Sequence, residues 1–118
     1  MIERRAEQDG QVSLAWYSPC ERYRYGLTRI WSAAAPRVLF VMLNPSTATE
    51  LRNDPTIERC QRRARAMGFG GMAIANIFGF RATRPEDLRR SPDPVGPENS
   101  RAIERLAGNA SMIVAAWG

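Results

Sequence analysis

Along the chain the apolar and polar positions fall into three patterns, and each predicts a different element. After a polar start, QVSLAWYS (11–18) alternates Val12, Leu14 and Trp16 with polar or smaller neighbours, the period-two mark of a half-buried strand, and Pro19 ends it. ERYRYGLTRIW (21–31) alternates again, with Tyr23, Tyr25, Leu27 and Ile30 marking one face. The short SPCE link between them predicts an antiparallel pair over about 11–31. Arg22, Arg24 and Arg29 are then expected mostly on the wet face. RVLFVML (37–43) is unbroken by polar residues, as in a central strand covered on both faces.

The next pattern is helical. Asp54 is a good N-cap, Pro55 suits the first helical position, and Gly68 suits the left-handed position after the last turn. Ile57, Cys60, Ala64 and Met67 share one face, and Arg59, Arg62 and Arg63 gather on the other. GMAIANI (71–77) predicts a second apolar strand, residues 78–96 an arginine- and proline-rich loop, and PENSRAIERLAG (97–108) a second helix. Pro97 is expected at that helix's first position, Ile103 and Leu106 on the core, and Gly108 at its end. SMIVAAWG (111–118) predicts a third buried strand.

Strands alternating with helices imply parallel pairing with right-handed crossovers. The expected fold is one α/β domain over 1–118, a three-layer sandwich with a β-α-β-α-β core at about 37–118 and the N-terminal antiparallel pair at the sheet edge. An oily strand followed at once by Gly118 ends where such folds begin their next loop and helix, so the pattern also predicts a C-terminally incomplete chain.

Composition then narrows the chemistry. Histidine is absent, and Cys20 and Cys60 stand alone without a CxxC, so no zinc site and no Cys/His nucleophile is expected. Both cysteines read as small buried or half-buried thiols, and no cofactor or metal is implied. The longest oily run, 38–43, is far too short to span a bilayer, and MIERRAEQDG lacks the apolar core of a secretory signal. A cytoplasmic location without a membrane partner follows by default. The net charge of +5 comes from seventeen arginines and no lysine. That bias also fits genomic base composition, but guanidinium is the better fork for phosphate and the better plate for stacking on bases, which favours a nucleotide or nucleic-acid partner.

Ligands of open parallel sheets bind beyond the carboxyl ends of the strands. There the chain places NPSTATELRND after the first parallel strand, NIFGFRAT after the second, and Gly118 after the third. Asn44 carries a carboxamide held by Pro45, enough to orient a water or read a base edge; the competing reading is an Asx or proline turn with Ser46 or Thr47 capping it. Asn76 interrupts an apolar run and needs a partner, either neighbouring backbone or a ligand. Phe78 and Phe80 offer stacking surface or serve as core lids. Arg81 and Arg84 flank Thr83 in a loop and suit phosphate, or else pair with Glu86 or Asp87. The glycines of GFGG (68–71) follow a helix and precede a strand, the reverse of a P-loop.

RYGLTRIW, FVMLNPSTATE, NDPTIERC, GFGGMAIANIFGFRAT and PEDL together resemble the bacterial and phage family called domain of unknown function 1643. A more distant likeness is to the uracil-DNA glycosylase superfamily, in its mismatch-specific branch. There an oily strand ends in an Asn-Pro pair whose amide positions the hydrolytic water, to which Asn44-Pro45 is similar. Asn76, Arg81 and Thr83 in ANIFGFRAT are similar in order to a later segment whose amide reads the flipped base. That resemblance implies a uracil-DNA-glycosylase-like fold and, as chemistry, hydrolysis of an N-glycosidic bond with Asn44 catalytic. Superfamily members carry a further histidine or small polar loop that has no counterpart in this chain. Two other functions stay open: a non-catalytic binding or assembly module, and an enzyme acting on a free nucleoside or nucleotide.

Overall fold

The computed structural model describes residues 1–116. Six strands form one mixed sheet: β1 (Ile2–Gln8), β2 (Gln11–Tyr17), β3 (Arg24–Ile30), β4 (Arg37–Met42), β5 (Gly71–Asn76) and β6 (Met112–Ala115). Three helices accompany them, α1 (Pro55–Ala66), α2 (Pro85–Arg90) and α3 (Asn99–Gly108). The strand order is β1-β2-β3-β5-β4-β6. β4 pairs parallel with both β5 and β6, while β1, β2 and β3 form an antiparallel meander joined antiparallel to β5. The expected strand-helix alternation and the antiparallel addition at one edge are therefore present. Among the described residues no helix is long and apolar enough to cross a membrane.

Core packing follows the strand parity. On β4 and β5, Val38, Phe40, Met72 and Ile74 enter one cluster with Ile57, Cys60 and Ala64 of α1. Leu39, Ala73 and Ala75 enter a second with Ala102 and Leu106 of α3. Every residue of β5 is buried, which explains its lack of polar alternation.

The capping of α1 is local chemistry read directly from sequence. Asp54 Oδ1 accepts from the Ile57 amide at 2.9 Å, and Gly68 takes φ +85°. Gly68 N–H bonds Arg65 O and Phe69 N–H bonds Ala64 O, a Schellman ending. This corrects the expectation for Met67: it is the C-cap residue and 53% exposed, and Phe69 beyond the left-handed turn packs on the core instead.

Other expectations also change. The polar start is a strand, β1, turned into β2 by Asp9-Gly10, both at positive φ, as the right-handed twist of a two-residue hairpin demands. Residues 85–90 form the short α2 inside the expected loop. Pro97 precedes the N-cap Glu98 and does not open α3. The third oily strand, β6, is an edge strand with Met112 and Ile113 exposed, since β4 covers only one of its sides. Cys20 is exposed, while Cys60 is buried.

The largest correction concerns arginine. A register shift pairs Trp16 with Gly26 but Tyr17 with Arg24, leaving Tyr25 as the extra residue of a bulge. Arg24 is thereby turned to the face of Ala15, Tyr17 and Leu27, and Tyr25 to the α3 side with Trp16. Arg29 alternates in phase with Leu27. Arg24 and Arg29 are each only 2% exposed, so neither lies on a wet face.

Candidate functional site

The parallel pairing of β4 and β5 continues past both strands. Ile77 N–H bonds Met42 O and Phe78 N–H bonds Leu43 O, each at 2.9 Å. Asn44 Nδ2 then donates to Ala82 O at 2.7 Å and to Pro45 O at 3.1 Å, while Ala82 N–H returns a bond to Pro45 O. Ser46 Oγ stands 3.4 Å from Thr83 Oγ1. The NPST and RAT segments thus run side by side at the carboxyl ends of the two strands.

They border an open cleft of about 580 Å³, lined by Ser46, Phe80, Arg81 and Thr83 together with Arg22, Asp87 and Arg90. Arg22 and Arg90 had no local sequence signal. Arg22 arrives because Tyr23 bridges Phe80 and Arg81 N–H bonds Arg22 O at 2.8 Å, a contact across some sixty positions. Phe80 packs edge-on against Tyr23, with ring centroids 5.6 Å apart.

The remaining expected residues lie outside this lining. Asn44 is half-buried and its donor end is spent on loop carbonyls, leaving Oδ1 as its acceptor. Pro45 is buried and Thr47 exposed. Asn76 is 2% exposed at the end of β5, and its carbonyl accepts from Asn99 Nδ2 at 2.7 Å. Phe78 is half-buried; Arg84 is exposed at the start of α2. Gly118, expected at the third strand's exit, lies outside the described residues.

Behind the cleft, β3 supplies a buried cationic frame for the loop after β4. Arg24 Nη1 donates to Ala48 O at 2.9 Å. Arg29 Nη2 donates to Thr49 O at 2.5 Å and to Asn53 Oδ1 at 3.0 Å, with Nε also reaching Asn53 Oδ1 at 3.2 Å. Asn53 Nδ2 passes the network to Glu58 and Gln61 on α1. Loss of water pulls the Arg24 guanidinium down to about 10, opposed by the Asp54 carboxylate, and burial lowers Arg29 in the same direction. Arg24 Nε has no partner among the described residues.

Tyr17 joins the frame to the cleft. Its hydroxyl donates to Glu50 Oε1 at 3.0 Å, and the Arg81 guanidinium sits 5.4 Å from its ring centroid. Burial first, and Glu50 second, push the phenol up to about 12. Among the described residues no three His, Cys, Asp or Glu side chains gather as for a metal ion. What the cleft offers is guanidinium, hydroxyl and an aromatic edge, a set suited to holding an anion with a flat group beside it.

A family model described as a protein of unknown function (DUF1643) matches residues 24–118. Neither the curated proteins nor the solved structures gave a match.

Proposed function

The chain belongs to the DUF1643 family, whose description assigns no activity, and from that premise we propose that its cleft binds a nucleotide or nucleic-acid strand through phosphate. The observation that carries this is the convergence of Arg22, Arg81 and Arg90, against the single carboxylate Asp87, beside Ser46, Thr83 and Phe80. Phosphate contacts position a strand, and Phe80 is available to a base. Three such contacts give a slope of about −2 in log K against log salt on single strands, and each arginine removed reduces it by about 0.7. The test is a salt titration of labelled single-stranded oligonucleotide against the parent and Arg22→Ala, Arg81→Ala and Arg90→Ala. Binding that ignores salt, or that the variants leave unchanged, defeats the proposal. Equal affinity for a mononucleotide and an oligonucleotide, with little salt dependence, assigns the cleft to a free nucleotide instead.

The glycosylase-like reading, including a three-layer fold of that kind, belongs to this proposal and rests on Asn44-Pro45 and on the order of Asn76, Arg81 and Thr83. On it, Asn44 Oδ1 orients the water and the developing sugar cation is stabilised electrostatically. Abasic-site formation on uracil, mismatched and damaged-base oligonucleotides must then fall in Asn44→Ala relative to the parent; equal signals remove the claim. A non-catalytic module is the second reading. It is favoured by the engagement of Asn44 Nδ2 with Ala82 O and Pro45 O, a tie that makes the turn structural. It predicts that Asn44→Ala loses stability or binding with no turnover to lose.

A further inference from the structure

A second cavity lies on the α3 side of the sheet, toward the opposite end of the strands from the cleft. Its volume is about 210 Å³. The floor is a row of cross-strand neighbours, Leu14, Thr28 and Ala73, paired in register across β2, β3 and β5. The space exists because β5 shows α3 only small residues, Gly71, Ala73 and Ala75, while Leu106 roofs the gap. Thr28 holds a buried hydroxyl with no partner among the described residues, so protein packing does not complete this floor.

One wall is a fixed aromatic plate. The Trp16 indole N–H donates to Glu3 Oε1 at 2.9 Å, and its ring lies so close over Gly26 that a Cβ there would stand 2.8 Å from Trp16 Cε3. A wall held at its polar end and along its face is preorganised, which lowers the cost of ordering a ligand against it.

The rim decides the charge of the occupant. Arg37 and Arg105 stand there with one carboxylate, Glu3, which already accepts from Trp16. Neither arginine is in an ion pair among the described residues. Arg105 lies 5.1 Å from the Trp16 ring centroid. Of the last carbonyls of α3, which would repel an anion, those of Leu106 and Ala107 are met by the Asn109 and Ala110 amides and that of Arg105 by Asn109 Nδ2. The rim therefore carries one positive charge in excess over an apolar, aromatic-walled interior. An apolar cavity of about 150 Å³ admits benzene, so this one takes a ring with roughly three further non-hydrogen atoms.

We propose that this cavity binds a small aromatic carboxylate, ring on the Leu14, Thr28 and Ala73 floor beside Trp16 and Leu106, and carboxylate toward Arg37 and Arg105. This is independent of the function proposed for the cleft. The test is titration of the ¹⁵N-labelled full chain with benzoate, the neutral analogue benzamide, and acetate, read at the Trp16 indole N–H. Benzoate is expected to move that resonance saturably, with benzamide and acetate at least tenfold weaker. Arg37→Gln and Arg105→Gln are each expected to weaken benzoate about tenfold, and Ala73→Leu, which fills the floor, to abolish binding. Should Ala73→Leu fail to fold, Ala110→Leu narrows the mouth and is expected to do the same. A non-saturable response to benzoate, benzamide binding as tightly as benzoate, or unchanged binding in a folded filled variant overturns the proposal and leaves the cavity a packing void.

Discussion

Replacing Arg29 by methionine removes the head of the clamp on the loop after β4 while keeping most of the apolar stem. Four acceptors lose a donor: Thr49 O and Asn53 Oδ1, which hold the shorter bonds and dominate the loss, and Thr28 O and Arg52 O at 3.3 and 3.4 Å. Hydrogen bonds to a charged group contribute about 1.5–3 kcal/mol each, so the gross loss is roughly 3–6 kcal/mol. Relief of the guanidinium's own desolvation offsets part of that, since apolar replacements of buried charges recover several kcal/mol when the partners can be rehydrated. Thr49 and Asn53 are half-buried, so rehydration of these acceptors is partial and the net expected destabilisation is about 2–4 kcal/mol, or about 8–16 °C in Tm for a chain of this size. The assay is urea unfolding followed by far-UV circular dichroism, with amide exchange at Thr49, whose N–H bonds Arg52 O at 2.9 Å, as the local readout. Arg59→Met, on the exposed side of α1, is the control and should stay within about 0.5 kcal/mol of the parent. If Arg29→Met also stays within that margin and Thr49 keeps its protection, the clamp does not hold the loop.

Three further outcomes follow from the same structure. Asn99 Nδ2 serves the carbonyls of both Asn76 and Ile77, so Asn99→Ala and the near-isosteric Asn99→Asp should each cost about 2–4 kcal/mol by denaturant unfolding; a neutral Asn99→Asp would show that the amide's donors are dispensable. Tyr17, held protonated to about 12, stabilises the fold below pH 10, and that contribution is lost as pH rises through about 12. Burial raises Tyr25 as well, so phenolate absorbance should show a late component that Tyr17→Phe diminishes by one tyrosine, and an undiminished late amplitude in that variant would refute the assignment. Cys20 is exposed with its thiol lowered by the Ser18 hydroxyl, whereas burial raises Cys60, so a chromogenic disulfide should modify one thiol fast and the other slowly. Equal rates, or a fast thiol surviving Cys20→Ser, would contradict this.

What was legible from the sequence was local or periodic. The caps of α1 need only Asp54, Pro55 and Gly68 in place, and the alternation of β4, α1, β5, α3 and β6 shows in apolar runs. β1 stayed hidden because IERRAEQ is an edge strand wetted on both sides, even though Asp9-Gly10 is the strongest short hairpin signal available. The burial of Arg24 was hidden by one extra residue, since a bulge inverts the parity on which any face assignment depends. In the cleft, Ser46, Phe80, Arg81 and Thr83 were accessible to reasoning as residues that follow parallel strands. Arg22 was not, because the bridge between Tyr23 and Phe80 that brings it in is non-local, and Arg90 was not, because the short helix α2 that carries it lay inside an expected loop.

The clamp also sets an order of events in folding. Arg24 and Arg29 reach loop groups 20 to 24 positions away, and β3 is held in the sheet by β5, which lies later in the chain than the loop itself. β5 lies between β3 and β4, so the loop after β4 is expected to take its final shape once β5 has joined the β2-β3 pair to β4. Closing so many non-local contacts places that loop late on the folding path. Substitutions at Thr49 to Asn53 should then speed unfolding while leaving the refolding rate nearly untouched, so this loop behind the cleft is expected to form late and come undone early.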